Sequence, residues 1–192
     1  MNYHGYYMDW ILASASPRRR ELLAELIDRF EVIPAKGEER VQAGLSPREL
    51  VESLAAQKAR EVAALPQARG KAVLGSDTVV VFRGEVLGKP KDEADARRML
   101  SELSGNTHEV YTGVCIVCGE EEYIRSACTE VVFEKLTASQ IEEYIVTGSP
   151  MDKAGAYGIQ DGGLVKEIRG SYSNVVGLPM ELLGEMIKNL KN

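Results

Sequence analysis

Histidine and cysteine are scarce in this chain of 192 residues. Of the two histidines, His4 lies in a terminus that we expect to be loose, so a histidine metal site or a Ser-His-Asp triad with His108 is nearly excluded. The three cysteines are an odd number, which argues against a disulfide framework and favours a reducing compartment. Cys115 and Cys118 form a C-x-x-C pair, but residues three apart on a strand face opposite sides and chelate poorly.

The sequence also lacks long apolar runs, a targeting signal and an excess of positive charge. No segment approaches the roughly 20 apolar residues that a membrane helix needs, and the N-terminus lacks the basic start and apolar middle of a signal peptide. The net charge of −6 argues against binding a nucleic-acid polymer. We therefore expect a cytoplasmic protein without a membrane partner. There is no G-x-x-x-x-G-K-[ST] loop, so a phosphate ligand would need another cradle.

The residues that are present suffice for a folded core, because 44% are hydrophobic and the 27% that are charged form no block of one sign. Segments with helical periodicity alternate with short apolar strands, and two predicted hairpins interrupt the alternation. This pattern predicts a mixed sheet flanked by helices. The length fits one domain or two small lobes.

A predicted helix start at Ser16-Pro17 carries an unusual cluster of positive charge. Arg18, Arg19 and Arg20 occupy its first turn, where the helix dipole disfavours each cation by about 0.3–1 kcal/mol. An anion docked there would meet backbone N–H groups, guanidinium groups and the hydroxyls of Ser14 and Ser16. A capped helix with solvated arginines explains these residues equally well at this stage.

Two buried positions carry charge. Asp77 interrupts an apolar strand and needs a metal ion, backbone amides or a lysine as partner, unless it lies at an edge or bulge. Gly75 beside it leaves room for close approach. Lys58 falls on the apolar stripe of its helix, so it either snorkels to solvent or directs its ammonium into a cleft.

Three loops offer weaker candidates. The acids Glu38 and Glu39 could hold Mg²⁺ together with Asp77, although acid pairs in loops are usually solvated. Lys89 lies between a glycine and a proline, where it could bind a phosphate or be an ordinary solvent-exposed lysine. Gln160 ends a glycine-rich loop and could read the edge of a base with its amide.

Together, several segments resemble the Maf-type nucleotide pyrophosphatases, also called septum-formation inhibitor proteins. One such segment alone would be weak, but all occur in family order. The matching segments are LASASPRR (12–19), GSDTVV (75–80), GKP (88–90), LSGNTH (103–108), DKAGAYGIQ (152–160) and GSY (170–172).

The resemblance implies an elongated Maf/inosine-triphosphatase-like α/β fold with a cleft between two lobes, formed by one domain over residues 10–192 after an extension of residues 1–9. It implies hydrolysis of a nucleoside triphosphate to monophosphate and pyrophosphate, with Mg²⁺ or Mn²⁺ as cofactor and a homodimer as assembly. The 152–160 loop resembles the branch that acts on dTTP and UTP. Clearing modified pyrimidine nucleotides would be a matching purpose.

The resemblance also implies roles for individual residues. Asp77 matches the general base, and Glu39 matches an acid near metal and phosphates; whether Asp77 takes a proton or binds the metal stays open. Ser76 stands where alanine is more frequent. Positions tied to substrate specificity are Arg18, Thr78 and Gln160. Residues expected to bind substrate are Ser14, Ser16, Arg18, Arg19, Lys58, Thr78, Lys89, Lys153 and Gln160.

Two alternatives remain beside this interpretation. The first is a related enzyme that prefers another nucleotide, such as a methylated purine triphosphate; Gln160 and its loop argue against it. The second is a nucleotide-binding regulator of cell division with little catalysis. The acids Asp77 and Glu39 favour an enzyme over the regulator.

Overall fold

The computed structural model of the protein describes residues 8–190. His4 and most of the predicted extension 1–9 lie outside the described residues. The strands are β1 (Trp10–Leu12), β2 (Phe30–Val32), β3 (Ala72–Phe82), β4 (Glu85–Leu87), β5 (Thr107–Cys118), β6 (Glu121–Phe133) and β7 (Val165–Arg169). The helices are α1 (Pro17–Ala24), α2 (Pro47–Ala63), α3 (Glu93–Leu103), α4 (Ala138–Val146), α5 (Tyr172–Val176) and α6 (Met180–Lys188).

The strands form a single mixed sheet in the order β2-β1-β3-β5-β6-β7, with β4 paired to β3. β1 runs parallel to both β2 and β3. β4 runs antiparallel to β3, and β7 runs antiparallel to β6. The predicted mixed α/β class is therefore confirmed.

Side-chain caps mark the starts of α2, α3 and α4. Ser46 and Thr137 each form a capping box with the residue three positions later, and Asp92 caps α3. Gly148, in the left-handed conformation, follows α4. Local side-chain chemistry thus sets the starts of these helices.

β3 spans Ala72–Phe82 without the interruption that its composition suggests. Gly75, Ser76 and Asp77 interrupt its apolar run, yet the strand continues through them to Phe82. Pairing with β1 at one end and with β4 at the other supplies partners that the side chains do not reveal. Asp77 consequently lies within a regular strand and is 9% exposed.

The chain divides into two compact units. Unit 1 comprises the described parts of Met1–Asp77, Thr112–Ala127 and Gly177–Asn192, and unit 2 comprises Thr78–Tyr111 and Cys128–Val176. In unit 1 one apolar cluster includes α1, α6 and β1 side chains, and a second includes the small side chains of α2. In unit 2 a single cluster joins α3, α4 and the strand residues.

α2 packs against its sheet at very short range because glycines face it. A Cβ atom at Gly75 would lie 2.3 Å from the carbonyl oxygen of Ala55, and one at Gly113 would lie 2.2 Å from that of Val51. Both distances are far shorter than real Cβ contacts, so only glycine fits. This close approach brings Lys58 on α2 within reach of Asp77.

Candidate active site

The turn between β1 and α1 has the predicted construction. Ser16 adopts an extended backbone, caps α1 by accepting from the Arg19 N–H at 3.4 Å, and is followed by proline at the first helical position. The first turn of α1 contains no acidic residue. Ser14 is buried, and its Oγ accepts from the Ser16 N–H at 3.2 Å. Backbone N–H groups, hydroxyls and arginines therefore converge at this helix end, as an anion would require.

Arg19 is tied into unit 1 rather than left in solvent. Its Nε donates to the carbonyl oxygen of Gly177 at 2.8 Å, and its Nη1 lies 3.4 Å from Ser14 Oγ. Burial is the largest influence on the pKa of the Arg19 guanidinium and lowers it. The negative charges of Asp77 and Glu39 raise this pKa, and the positive charge of Arg18 lowers it. The guanidinium keeps its charge, because arginine does not deprotonate in proteins.

Ser76 shares a partner with Arg19. Its buried hydroxyl donates to the carbonyl oxygen of Gly177 at 3.1 Å. This single carbonyl therefore joins the α1 turn to β3 next to Asp77. The family resemblance leads us to expect alanine more often at this position, and an alanine side chain could not form this hydrogen bond.

Lys58 joins the two candidate acids. Its Nζ donates to Asp77 Oδ1 in a short contact and lies 2.9 Å from Glu39 Oε1. The Lys58 side chain is 20% exposed and that of Glu39 is 50% exposed. The sequence left two possibilities for Lys58, an ammonium that reaches solvent and one that points inward. In the structure the ammonium points inward, to Asp77 and Glu39. Asp77 has found the charged partner that its burial requires.

The Asp77 and Glu39 carboxylates are the groups of this site that could hold a divalent cation. They already share one cation, the Lys58 ammonium, so the space between them accepts positive charge. Mg²⁺ prefers oxygen ligands and is usually held by one or two carboxylates together with waters and substrate phosphates. Among residues 8–190 no three His, Cys, Asp or Glu side chains converge on one point, so water and substrate would have to complete the coordination.

Unit 1 thus brings together Ser14, Ser16, Arg18, Arg19, Lys58, Glu39 and Asp77. The other predicted site residues belong to unit 2. Thr78 follows Asp77 directly on β3 and is half-buried, while Lys89 is exposed just after β4. Gln160 is exposed on a short 3-10 turn, Ile159–Asp161.

Lys153, which we expect to bind substrate, makes its hydrogen bonds within its own loop. Its ammonium donates to Ser149 O at 2.7 Å, to Ser149 Oγ at 3.0 Å and to Asp152 Oδ1 at 2.7 Å. An ammonium has three donors, and the loop's own acceptors engage all of them. The side chain is 12% exposed. In this structure Lys153 therefore fixes the loop that carries Gln160.

Tyr144 on α4 closes the same loop. Its hydroxyl donates to Asp161 Oδ2 at 2.5 Å and accepts from the Gly158 N–H at 2.9 Å. Ser149 Oγ also donates to Asp161 Oδ2, at 2.6 Å. Burial and the bond to Asp161 raise the pKa of Tyr144 well above its usual range, so the hydroxyl keeps its proton. We call these residues the loop lock: Tyr144, Ser149, Lys153 and Asp161.

The sequence does not predict the roles of the loop lock and of Gly177. Tyr144 and Asp161 are 17 residues apart, and nothing in their local pattern distinguishes them from surface residues. Gly177 acts through a backbone carbonyl, which every residue has. Only the contacts of the folded chain reveal these roles.

Within residues 8–190, no helix combines the length and the apolar character that crossing a membrane requires. Cys115, Cys118 and Cys128 carry thiols rather than disulfides. The three cysteines are buried or half-buried, and burial raises the pKa of the Cys115 thiol above its usual range.

Comparison with known proteins gives consistent results. Residues 9–190 match the sequence profile of a family described as Maf-like protein. A protein of Thermococcus gammatolerans named dTTP/UTP pyrophosphatase is 52% identical over 178 residues, covering 92% of this chain and 94% of its own. One of the same name from Moorella thermoacetica is 53% identical over 182 residues, covering 92% of both chains.

A solved structure, that of the Staphylococcus aureus Ham1 protein, resembles the fold. The TM-score is 0.54 at 15% identity, over 95% of this chain and all of that one (100%). At so low an identity the similarity concerns the fold alone.

Proposed function

The chain belongs to the Maf-like protein family, as its motifs predict, and from this premise we propose that it hydrolyses dTTP and UTP to the monophosphate and pyrophosphate. Relatives that carry this name are about half identical and cover nearly the whole chain. The observation that carries the proposal is the meeting of Asp77, Lys58 and Glu39 in one unit with the cationic α1 turn.

The reaction is attack of water on the α-phosphorus, in line with the departing pyrophosphate. The α1 turn supplies N–H groups and the charges of Arg18 and Arg19 to phosphate oxygens. Lys58 adds a further positive charge beside Asp77. Preorganised charges of this kind stabilise the negative charge that develops on the leaving group, which is usually the largest contribution to catalysis.

Asp77 has two candidate roles, which the reaction uses differently. As a general base it would take the proton from the attacking water, and as a ligand it would hold the metal together with Glu39. A bound Mg²⁺ or Mn²⁺ would polarise the phosphate oxygens and neutralise their charge. In both cases the Lys58 ammonium orients the Asp77 carboxylate before metal and nucleotide bind.

Specificity for the pyrimidine is assigned to Arg18, Thr78 and Gln160, following the family resemblance. Gln160 offers one amide with both a donor and an acceptor, which suits the edge of uracil or thymine. Lys89 is assigned to the phosphates. The loop lock supports this assignment because it holds the loop of Gln160 in one conformation before the nucleotide binds.

A nucleotide panel tests the proposal. The purified protein is incubated with dTTP, UTP, CTP, ATP, GTP and a methylated guanosine triphosphate, with Mg²⁺ and separately with Mn²⁺. Released pyrophosphate is converted to phosphate for detection, and chromatography identifies the nucleoside product. We expect monophosphate from dTTP and UTP at the highest kcat/KM.

Other outcomes would contradict the proposal in distinct ways. Preference for a purine or methylated purine would refute the pyrimidine assignment. Binding without pyrophosphate release from any nucleotide would instead favour a regulator. The Asp77→Asn protein, purified identically, controls for contaminating phosphatases.

The proposed active form is a cytoplasmic homodimer. The odd number of cysteines, three, favours a reducing compartment. Sedimentation equilibrium at micromolar concentration should give twice the chain mass, and a single-chain mass would contradict the dimer.

A further inference from the structure

The segment that carries Glu39 has no regular structure of its own. It lies between β2 and α2, and residues 36–40 are all exposed and form neither helix nor strand. A carboxylate on such a segment would ordinarily sample many positions, and fixing it when a ligand binds would cost conformational entropy. Something outside the segment must therefore hold Glu39 beside Lys58.

Two side chains of α2 form hydrogen bonds with the backbone on either side of Glu39. Gln57 Nε2 donates to the carbonyl oxygen of Arg40 at 2.8 Å, and Gln57 Oε1 accepts from the Arg40 N–H at 2.9 Å. Glu61 Oε1 accepts from the Lys36 N–H at 2.7 Å. The segment is thus fixed by side chains in the way that a neighbouring strand would fix it.

The spacing on α2 explains why these contacts converge. Gln57 and Glu61 are four residues apart and share one face of the helix, with Lys58 next to them. Gly37 lies so close to Glu61 that a Cβ atom there would be 2.8 Å from Glu61 Oε2. One helix face therefore holds the backbone of the segment and also, through Lys58, the Glu39 carboxylate.

We propose that Gln57 and Glu61 are positioning residues of the active site. They hold residues 36–40 so that the Glu39 carboxylate already stands beside Asp77 before metal and nucleotide arrive. Neither needs to touch either ligand. The inference rests on the proposed function, because it takes Glu39 as a metal ligand.

Two variants test it, Gln57→Leu and Glu61→Leu, since leucine keeps the helix and most of the side-chain volume but cannot bond the segment. The Mg²⁺ concentration for half-maximal hydrolysis of UTP should rise about tenfold in each, as expected from losing one or two hydrogen bonds. The rate at saturating metal should change little. Mn²⁺ affinity, measured by electron paramagnetic resonance with a non-hydrolysable UTP analogue, should fall by the same factor.

Two further variants separate positioning from general damage. Glu61→Gln keeps an acceptor oxygen for the segment and should restore near-normal metal dependence. Arg60→Leu removes the neighbouring exposed side chain, which pairs with Glu122 instead of the segment. It should leave the metal dependence and the Mn²⁺ affinity unchanged.

The decisive comparison uses a Glu39→Gln background. If Gln57 and Glu61 act through Glu39, adding Gln57→Leu or Glu61→Leu there should not weaken Mn²⁺ binding further. A second loss of the full size would show that they act elsewhere and would overturn the proposal. So would wild-type Mn²⁺ affinity in either single variant at an unchanged melting temperature.

Failure of the proposed function is distinguishable from failure of this inference. If the wild-type protein releases no pyrophosphate, the enzyme assignment is wrong, while the Mn²⁺ titrations still decide the role of Gln57 and Glu61. If Glu61→Leu does not fold, Gln57→Leu and Glu61→Gln carry the test.

Discussion

A single carboxylate, Asp77, concentrates most of the chemistry at the scale of residues. It is nearly buried in β3 and is held by Lys58. Either as base or as ligand it must carry negative charge, so an amide of the same shape removes both functions.

Asp77→Asn should therefore lower kcat for UTP by about 10²–10⁴, the usual contribution of a positioned acid or base. Binding of a non-hydrolysable UTP analogue, measured by calorimetry, should change much less. Glu102→Gln makes the same chemical change on the exposed face of α3 and should leave kcat near normal. Near-normal turnover by Asp77→Asn would remove this residue from the chemistry.

His108, one of only two histidines in the sequence, packs in the core of unit 2. It is 2% exposed, its Nε2 lies 2.7 Å from the hydroxyl of Tyr157, and its ring packs edge-on against Phe133 and Tyr157. Burial lowers the pKa of His108 to about 4. The folded protein therefore keeps this side chain neutral at physiological pH.

A depressed histidine pKa makes stability depend on pH with a definite sign. Between pH of about 6.5 and 4, His108 binds a proton in the unfolded chain but not in the folded protein. The free energy of unfolding therefore falls as the pH drops through this range, by up to roughly 3 kcal/mol. Urea unfolding at pH 7, 5.5 and 4.5 should show the loss. His108→Phe leaves the Tyr157 hydroxyl without this partner and should be less stable at pH 7, but with a shallower pH dependence. An unchanged pH dependence would contradict the assignment.

At the scale of elements, the contact between α2 and β3 determines whether Lys58 reaches Asp77. The contact depends on Gly75, since the groups that a Cβ would meet are the backbone of Ala55 and Ala59. Backbone atoms of a packed helix cannot move aside as a flexible side chain would.

Gly75→Ala should consequently lower the free energy of unfolding by about 3 kcal/mol and lower UTP hydrolysis as well, because α2 must move away from β3. Denaturant unfolding and pyrophosphate release measure the two effects. Gly184→Ala is the matched control, since it lies in α6 with nothing within 4 Å of a new Cβ. It should stabilise the protein by up to about 1 kcal/mol, and equal effects of the two changes would refute the packing argument.

The loop lock is a second element with a functional consequence. Tyr144→Phe removes only the hydroxyl that bonds Asp161 and the Gly158 N–H. If the lock holds Gln160 for the base, kcat/KM for UTP should fall about tenfold while that for ATP changes little, as the loss of two hydrogen bonds suggests.

Nucleotide competition measures that ratio directly. Tyr123→Phe also removes an exposed hydroxyl bond, to Glu121 on β6 in unit 1, and should leave the ratio intact. An unchanged UTP to ATP ratio in Tyr144→Phe would show that the lock only stabilises the loop.

At the scale of the whole molecule, each unit gathers residues from distant parts of the chain. Unit 1 joins the α1 turn, the Glu39 segment, α2, the first half of β3 and the carbonyl of Gly177. No local pattern in the sequence connects position 19 with position 177, since their contact depends on the sheet order and on helices packing against the sheet.

The amino-acid sequence alone was enough to predict the mixed α/β class, the capped start of α1 and the family, because periodicity, capping and motifs are properties of short segments. It also picked out Asp77, Lys58 and the α1 turn, since buried charge and cations at a helix start conflict with local rules. The partners of those groups were fixed only by folding. Long-range packing, whose geometry no short segment encodes, determines these contacts. It places Lys58 between two acids and directs Lys153 into its own loop. It also brings Tyr144 to that loop, and Gln57 and Glu61 to the segment of Glu39.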